Sequence, residues 1–186
     1  MRKHIFAIAA VIFTAAPALA ADEYAVDLVH SSMTFKVAHL GIAEVHGRFN
    51  EFSGKFTFNE SDPSKSSFTM IVKVESIDTA NKDRDKHLRA EDFFNVAKHT
   101  EITFKSTAVR AVKMGYEVEG QFTMVGVTKP ITFIMTGGKT IEFKGEKHIG
   151  FSTEMTIKRS DFGLKTGIPA IGDEVHIAIS FEGVKK

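Results

Sequence analysis

The chain has no cysteine and no tryptophan among its 186 residues. Without a thiol there is no cysteine nucleophile, zinc ribbon, iron–sulfur cluster or c-type haem attachment, and no disulfide to staple a small core. Proline is scarce, at 4, and neither sign of charge dominates: 24 Lys+Arg stand against 23 Asp+Glu, a net +1. A neutral chain does not hold nucleic acid by bulk charge, so no nucleic-acid partner is expected. The apolar run at 5–16, broken only by Thr14, is shorter than the roughly 20 residues of a membrane-spanning helix. No stable membrane insertion is expected. A Gly-x-Ser-x-Gly elbow and a Gly-rich phosphate loop are also missing.

That apolar run has a different reading. Met1-Arg2-Lys3-His4 is a basic start, and Ala18-Leu19-Ala20 is a small-x-small cleavage site. The three parts together predict a secretory signal peptide over 1–20, cut after Ala20, and a single domain over 21–186. Cleavage removes Arg2 and Lys3 and no acid, which takes the net charge from +1 to −1. The expected location is the periplasm.

What the chain has in quantity is phenylalanine, 17 residues, with 7 methionines, set in period-two alternation. Tyr116, Val118, Gly120, Phe122 and Met124 alternate with polar residues, as do Val175, Ile177, Ile179 and Phe181. Shorter alternations centre on Phe35, Val37 and His39, on Phe56 and Phe58, and on Ile102 and Phe104. Each predicts a strand with one face buried. Further strands are expected at 68–75, 130–136, 140–144 and 147–158. Turn signals separate them at 59–64, 113–115, 137–138 and 144–146, and Gly126-Val127-Thr128-Lys129-Pro130 reads as a hairpin turn. A single stretch, 83–94, reads as helix, with Asn81 as its cap.

Long antiparallel strands with one helical excursion favour an all-β, eight-stranded antiparallel barrel with one short helical crossover over a sandwich. The inward set is Phe35, Val37, His39, Phe56, Phe58, Met70 and Val72 from the first half. Phe104, Phe122, Met124, Phe133, Met135, Phe151 and Met155 complete it. A barrel of this size either packs such side chains solid or holds one small ligand among them. Both readings stand on sequence alone.

Three polar positions qualify as partners for a ligand head group. His39 shares a face with Phe35 and Val37; it is either a satisfied interior histidine or a polar contact in the pocket. Arg159 and Asp161 lie in Arg159-Ser160-Asp161-Phe162-Gly163, which is either a turn or a loop offering a guanidinium to an anion. Arg84 and Asp85 read as ties between the crossover and the barrel. His87 and Glu91 have metal-compatible spacing, but no further ligand accompanies them, so no metal and no cofactor are expected. Asp27, His30 and Ser31 include the residue types of a hydrolase triad, yet adjacent strand residues face opposite ways, and no catalytic residue is assigned.

An ordered series of short motifs identifies a family resemblance. It runs through Asp27-Leu28-Val29-His30-Ser31, Phe35-Lys36-Val37-Ala38-His39-Leu40-Gly41, Gly47-Arg48-Phe49 and Phe52-Ser53-Gly54. Ser76-Ile77-Asp78-Thr79, Arg84-Asp85-Lys86-His87-Leu88, Asp92-Phe93-Phe94 and Ile102-Thr103-Phe104-Lys105-Ser106-Thr107 follow. Gly126-Val127-Thr128-Lys129-Pro130, Arg159-Ser160-Asp161-Phe162-Gly163 and Gly172-Asp173-Glu174-Val175 close it. The chain resembles the YceI-like family, the exported polyisoprenoid-binding proteins. The resemblance implies a lipocalin-like barrel that carries, stores or scavenges a long amphiphile: a polyisoprenoid, a quinone, or a fatty acid or amide. A packed structural barrel without cargo is the alternative, and an isoprenoid-modifying enzyme a further one. An exposed strand edge would also allow a homodimer.

Overall fold

The computed structural model describes residues 22–186; the signal peptide expected at 1–20 and its cleavage point lie outside the described residues. The alternating pattern folds into ten strand segments. They are β1 (Asp22–His39), β2 (Ala43–Phe49), β3 (Phe52–Phe58), β4 (Ser67–Lys73), β5 (Ile77–Asp78), β6 (Glu101–Val112), β7 (Gly115–Met124), β8 (Val127–Phe143), β9 (Glu146–Lys158) and β10 (Ile171–Lys185). Two pairs of segments are single staves bent in the middle. β2 runs into β3 across Asn50-Glu51, and β4 into β5 across a 3-10 turn at Val74–Ser76. β1 therefore pairs with β3 over its first residues and with β2 from Thr34 onward. Each stave pairs antiparallel with the next, most through short turns and two through longer excursions at 79–100 and 159–170. β10 returns to pair with β1 and closes an eight-stranded antiparallel barrel with a single α-helix among the described residues, α1 (Lys82–Arg89).

Three expectations about local structure need correction. Gly137-Gly138 is not a turn between two strands. β8 runs straight through it, with a bulge where Gly137 faces Phe151 and Lys139 faces Gly150. Gly137 has φ 110°, and a Cβ there would lie 2.4 Å from the Gly150 carbonyl oxygen, so the backbones approach too closely for any other residue. The 126–130 motif likewise turns earlier than expected: Val125 and Gly126 take the positive-φ positions, and Pro130 sits inside β8 opposite Gln121. The helix expected over 83–94 stops at Arg89, where Ala90 turns extended, and Phe93 and Phe94 leave it to pack against His87 and Phe49.

α1 is fastened across one end of the barrel. The Asn81 side chain accepts from the Arg84 amide at 3.0 Å, a standard N-cap. Asp85 is buried and accepts from the Thr79 amide at 2.9 Å and from its hydroxyl. Arg84 donates to the Thr79 hydroxyl at 2.8 Å and carbonyl at 2.7 Å, and Arg89 reaches the Glu75 and Ile77 carbonyls. These charge-assisted bonds hold a short helix that has too few turns to persist alone.

The opposite end is plugged by aromatic rings. Tyr24 stacks on Phe56 with centroids 5.1 Å apart, Phe56 on Phe68 at 5.3 Å, and Phe151 meets Phe58 edge-on at 5.0 Å. Offset and edge-to-face geometries of this kind add to the area they bury. A second apolar cluster, with Phe49, Val74, Ile77, Phe162 and Leu164, packs beneath α1 and the turn at Arg159–Phe162.

Candidate ligand-binding cavity

Between the aromatic plug and α1 the barrel is hollow, with a cavity of about 610 Å³. Phe35 and Val37 of β1, Met70 and Val72 of β4, Phe104 of β6 and Phe122 of β7 form part of its wall. Ile131, Phe133 and Met135 of β8, Met155 of β9, and Val175, Ile177 and Ile179 of β10 line the other side. Phe56, Phe68 and Phe181 face it from the plug. The lining is almost wholly apolar, so solvation does not favour filling the space with water.

Glycines help to keep the centre open. A Cβ on Gly120 would lie 2.4 Å from the Phe104 ring, and one on Gly47 would lie 2.3 Å from Phe35 Cζ. Both rings therefore lie flat across bare backbone on the barrel wall. With side chains at those positions the rings would be forced toward the axis.

The mouth lies at the α1 end. His39 and Ala38 come from the end of β1, Asp83, Arg84 and His87 from α1, Leu164 from the segment before β10, and Ile171 from the first position of β10. Arg84 uses Nε and Nη2 on Thr79, and its Nη1 has no hydrogen-bond partner among the described residues. His87 Nε2 lies 2.8 Å from Asp92 Oδ2, which leaves Nδ1 as the other polar edge of the ring. The histidine is thus paired with Asp92, not with Glu91, which instead meets Lys98.

The expected site residues divide. Phe35, Val37, His39, Phe56, Met70, Val72, Phe104, Phe122, Phe133, Met135 and Met155 all line the cavity. Phe58 and Phe151 do not; they lie deeper, inside the plug, because the rings at that end pack on one another. Met124 is off the cavity too, buried in the cluster beside the β7–β8 turn. Arg159 touches the cavity, with its guanidinium turned to the backbone. Its guanidinium donates to the carbonyls of Gly172, Leu164, Thr166 and Ile171 at 2.8–2.9 Å, and the residue is only 5% exposed. Burial lowers its pKa from the usual arginine value, partly offset by Asp173, and its role is to staple the segment leading into β10. Asp161 lies outside the cavity, exposed, 3.2 Å from Lys129 Nζ.

Sequence reasoning missed Asp83, Arg84 and His87 as mouth residues. Their motif was legible as scaffolding, which it also is, and nothing in the spacing separates an arginine that ties a helix down from one that also faces a cavity. The Asp27, His30 and Ser31 expectation changes as well. The segment is not a regular strand but a bulge, since Asp27 pairs with Glu182 and Ser32 with Ser180. His30 Nδ1 meets Asp27 Oδ2 at 2.7 Å, which raises the histidine pKa, while Ser31 Oγ donates to the Asp27 carbonyl at 2.5 Å. The serine is engaged with backbone, not with the histidine. Asp27, His30 and Glu182 are the one group of three potential metal donors among the described residues, on the outer surface and away from the cavity.

Comparison with known proteins agrees with this geometry. The family model described as "YceI-like domain" matches residues 24–183. A UPF0312 protein of Pseudomonas aeruginosa (strain LESB58) is 38% identical over 183 residues, covering 97% of this chain and 95% of its own. Protein YceI of Salmonella arizonae is 38% identical over 191 residues, with both chains covered fully. Among solved structures, BcnA of Burkholderia cenocepacia superposes with a TM-score of 0.75 at 25% identity, over 84% of this chain and 98% of that one. The Campylobacter jejuni YCEI protein gives 0.72 at 30%, over 81% and 91%. A polyisoprenoid binding domain from Saccharophagus degradans shares the fold at 0.66 and 16% identity, over 88% and 98%.

Proposed function

The chain belongs to the YceI-like family, and from that premise we propose that it binds a long-chain amphiphilic lipid with the tail inside the barrel and the head group at the α1 mouth. The observation that carries this reading is the hollow itself: about 610 Å³ of apolar-lined space closed at one end by aromatic rings and open beside α1. A carbon-sized group takes up roughly the 30 Å³ share of a liquid water, so the space suits on the order of twenty such groups. Each methylene moved into it from water contributes about 0.8 kcal/mol, so a dozen already outweigh much of the cost of association. A barrel packed solid would have no such space, which argues against the structural alternative.

At the mouth, Arg84 Nη1, His87 and His39 offer donors to a head group that accepts hydrogen bonds, such as a phosphate, a carboxylate, an amide or a quinone carbonyl. Arg84 and His87 each commit one edge to holding the α1 region, on Thr79 and Asp92, and present the other edge to the mouth. Polyisoprenoids fit this description, and a protein of the same fold is itself described as a polyisoprenoid binding domain. We place the protein in the periplasm, where it would carry, store or scavenge its cargo.

Native mass spectrometry of protein purified from an exporting host, followed by organic extraction, tests the reading. The expected result is a stoichiometric long-chain adduct whose extracted mass gives the lipid class. A bare mass that persists after incubation with polyprenyl, quinone and fatty-acyl candidates overturns it.

A further inference from the structure

The cavity mouth is edged by apolar side chains that the fold does not use. The turn joining β1 to β2 carries Leu40 at 59% and Ile42 at 85% exposure, and the neighbouring segment before β10 carries Ile168 at 39%. The two segments are joined by a hydrogen bond from the Leu40 amide to the Ala170 carbonyl at 2.7 Å, so they form one rim. Leu40 sits at φ 54° and Gly41 at φ 68°. Glycine or asparagine is the usual occupant of the first position, because a left-handed leucine is strained by its Cβ. A leucine held at this φ with 59% of its surface exposed is poorly explained by packing within the fold.

The same end carries unpaired cations. Lys82, Arg84 and Lys86 on α1 and Lys165 beside Leu164 are exposed and form no ion pair among the described residues. Part of the acidic charge nearby is paired, Glu44 with Lys36 and Asp92 with His87. Asp173 is hydrogen-bonded to Ser160 and keeps its charge, and Asp83 and Glu174 are exposed acids without an ion pair among the described residues, so the excess of free cations lies on α1 and at Lys165.

We propose that this rim docks on an anionic lipid bilayer, with Leu40, Ile42 and Ile168 entering the interface and the lysines lying over the head groups, so that cargo passes between membrane and cavity without crossing water. Apolar tips ringed by unpaired cations are what such a surface attracts. The direction of the mouth gives docking its use, and in that respect the proposal rests on the lipid-cavity reading; the rim geometry stands apart from it.

The test is co-sedimentation of the full chain with vesicles of phosphatidylethanolamine and phosphatidylglycerol, against vesicles of phosphatidylcholine alone. Binding of a fluorescent fatty acid supplied from detergent is measured in parallel and reports on the cavity. The wild type is expected to sediment with the anionic vesicles only. Leu40→Asp with Ile42→Asp lowers the bound fraction about tenfold or more, and each of Lys82→Glu, Lys86→Glu and Lys165→Glu lowers it about fivefold. Fatty-acid binding from detergent stays unchanged throughout. Leu40→Gly, which suits the backbone angle, keeps the fold at full stability and still weakens docking. The proposal is overturned if the wild type ignores anionic vesicles or if folded rim variants sediment as well as the wild type. It is also overturned if the wild type is a dimer that Ile42→Asp dissociates, which would make the rim an interface between two copies. Loss of fatty-acid binding in the wild type would instead sink the cavity reading and leave docking standing.

Discussion

The barrel uses phenylalanine in two ways, and truncation separates them. Phe151 belongs to the plug: it is 2% exposed, with ring centroids of Phe58 at 5.0 Å and Phe181 at 5.6 Å. Phe133 belongs to the cavity wall: it is half-buried, leans on Phe104 at 5.3 Å and faces open space. Phe151→Ala leaves a hole among rings that cannot collapse, and the expected cost is ~3–5 kcal/mol. Phe133→Ala adds to space that already exists, so only the transfer free energy of a part-buried ring is lost, about 1–2 kcal/mol. Ligand reverses the ranking. At a hundred times its dissociation constant a ligand stabilises the native state by about 2.7 kcal/mol. That increment stays intact in Phe151→Ala, whose change lies below the floor. It shrinks by about 1.4 kcal/mol in Phe133→Ala if the lost ring contact weakens binding tenfold. Urea denaturation of both variants, with and without a lipid found in the native extract, measures all four quantities. Equal losses in the ligand-free proteins, or a ligand increment abolished in folded Phe151→Ala, would refute the division of the barrel into plug and cavity.

Gly120→Val should push Phe104 off the wall and into the cavity, since even a Cβ meets that ring at 2.4 Å. We expect a cost of about 1–3 kcal/mol and lipid affinity reduced about tenfold, read by fluorescence titration; unchanged affinity in a folded variant would show that the ring does not border the bound tail. Arg159→Met leaves four carbonyls, that of Leu164 buried and the other three part-buried, without their donor and should cost about 3 kcal/mol in urea denaturation, with a loss below about 1 kcal/mol counting against the staple. Asp22 is ion-paired to Lys147 at 2.8 Å and Lys185 at 2.6 Å, and hydrogen bonds from these lysines hold its carboxyl at about 2, below the ordinary 3.8. A depressed carboxyl pKa stabilises the fold above the unfolded value and loses that contribution as pH falls toward the folded one. Asp22→Asn should therefore be less stable than wild type near neutral pH, by about 0.2–1 kcal/mol for so exposed a pair, and indistinguishable from it below pH 2. A difference that persists in acid would mean that the pair is not its source.

Much of the barrel could be read from the chain because period-two alternation is a direct image of a sheet with one wet face. Residues 116–124 and 175–182 are examples in which the inward set can be named residue by residue. The errors fall where one local chemistry serves two structures. Gly137-Gly138 has the positive-φ tolerance of a hairpin turn, and a bulge uses the same tolerance without ending the strand. The stretch 90–94 has helical composition, but Phe93 packs on His87 and Phe94 on Phe49, and that tertiary demand breaks the helix. Around His30, three extra residues in β1 destroy the alternation on which the face assignment rested.

The site was harder to read for a reason that the fold makes plain. Alternation says which side chains point inward but not how far along the barrel axis they stand. Phe104, Phe122 and Phe151 look alike in sequence, yet the first two border the hollow and the third closes it. Depth is set by register across all eight staves at once, with β1 against β10 and β8 against β9 fixing where the rings of different strands come level. Rings that come level with one another fill the barrel, as Phe56, Phe58, Phe68, Phe151 and Phe181 do. Rings that come level with Gly47 and Gly120 lie back against the wall and leave it hollow. The cavity therefore follows from where the small residues stand relative to the large ones across strands. In this barrel a glycine opposite an aromatic ring is better evidence for a ligand than the ring itself.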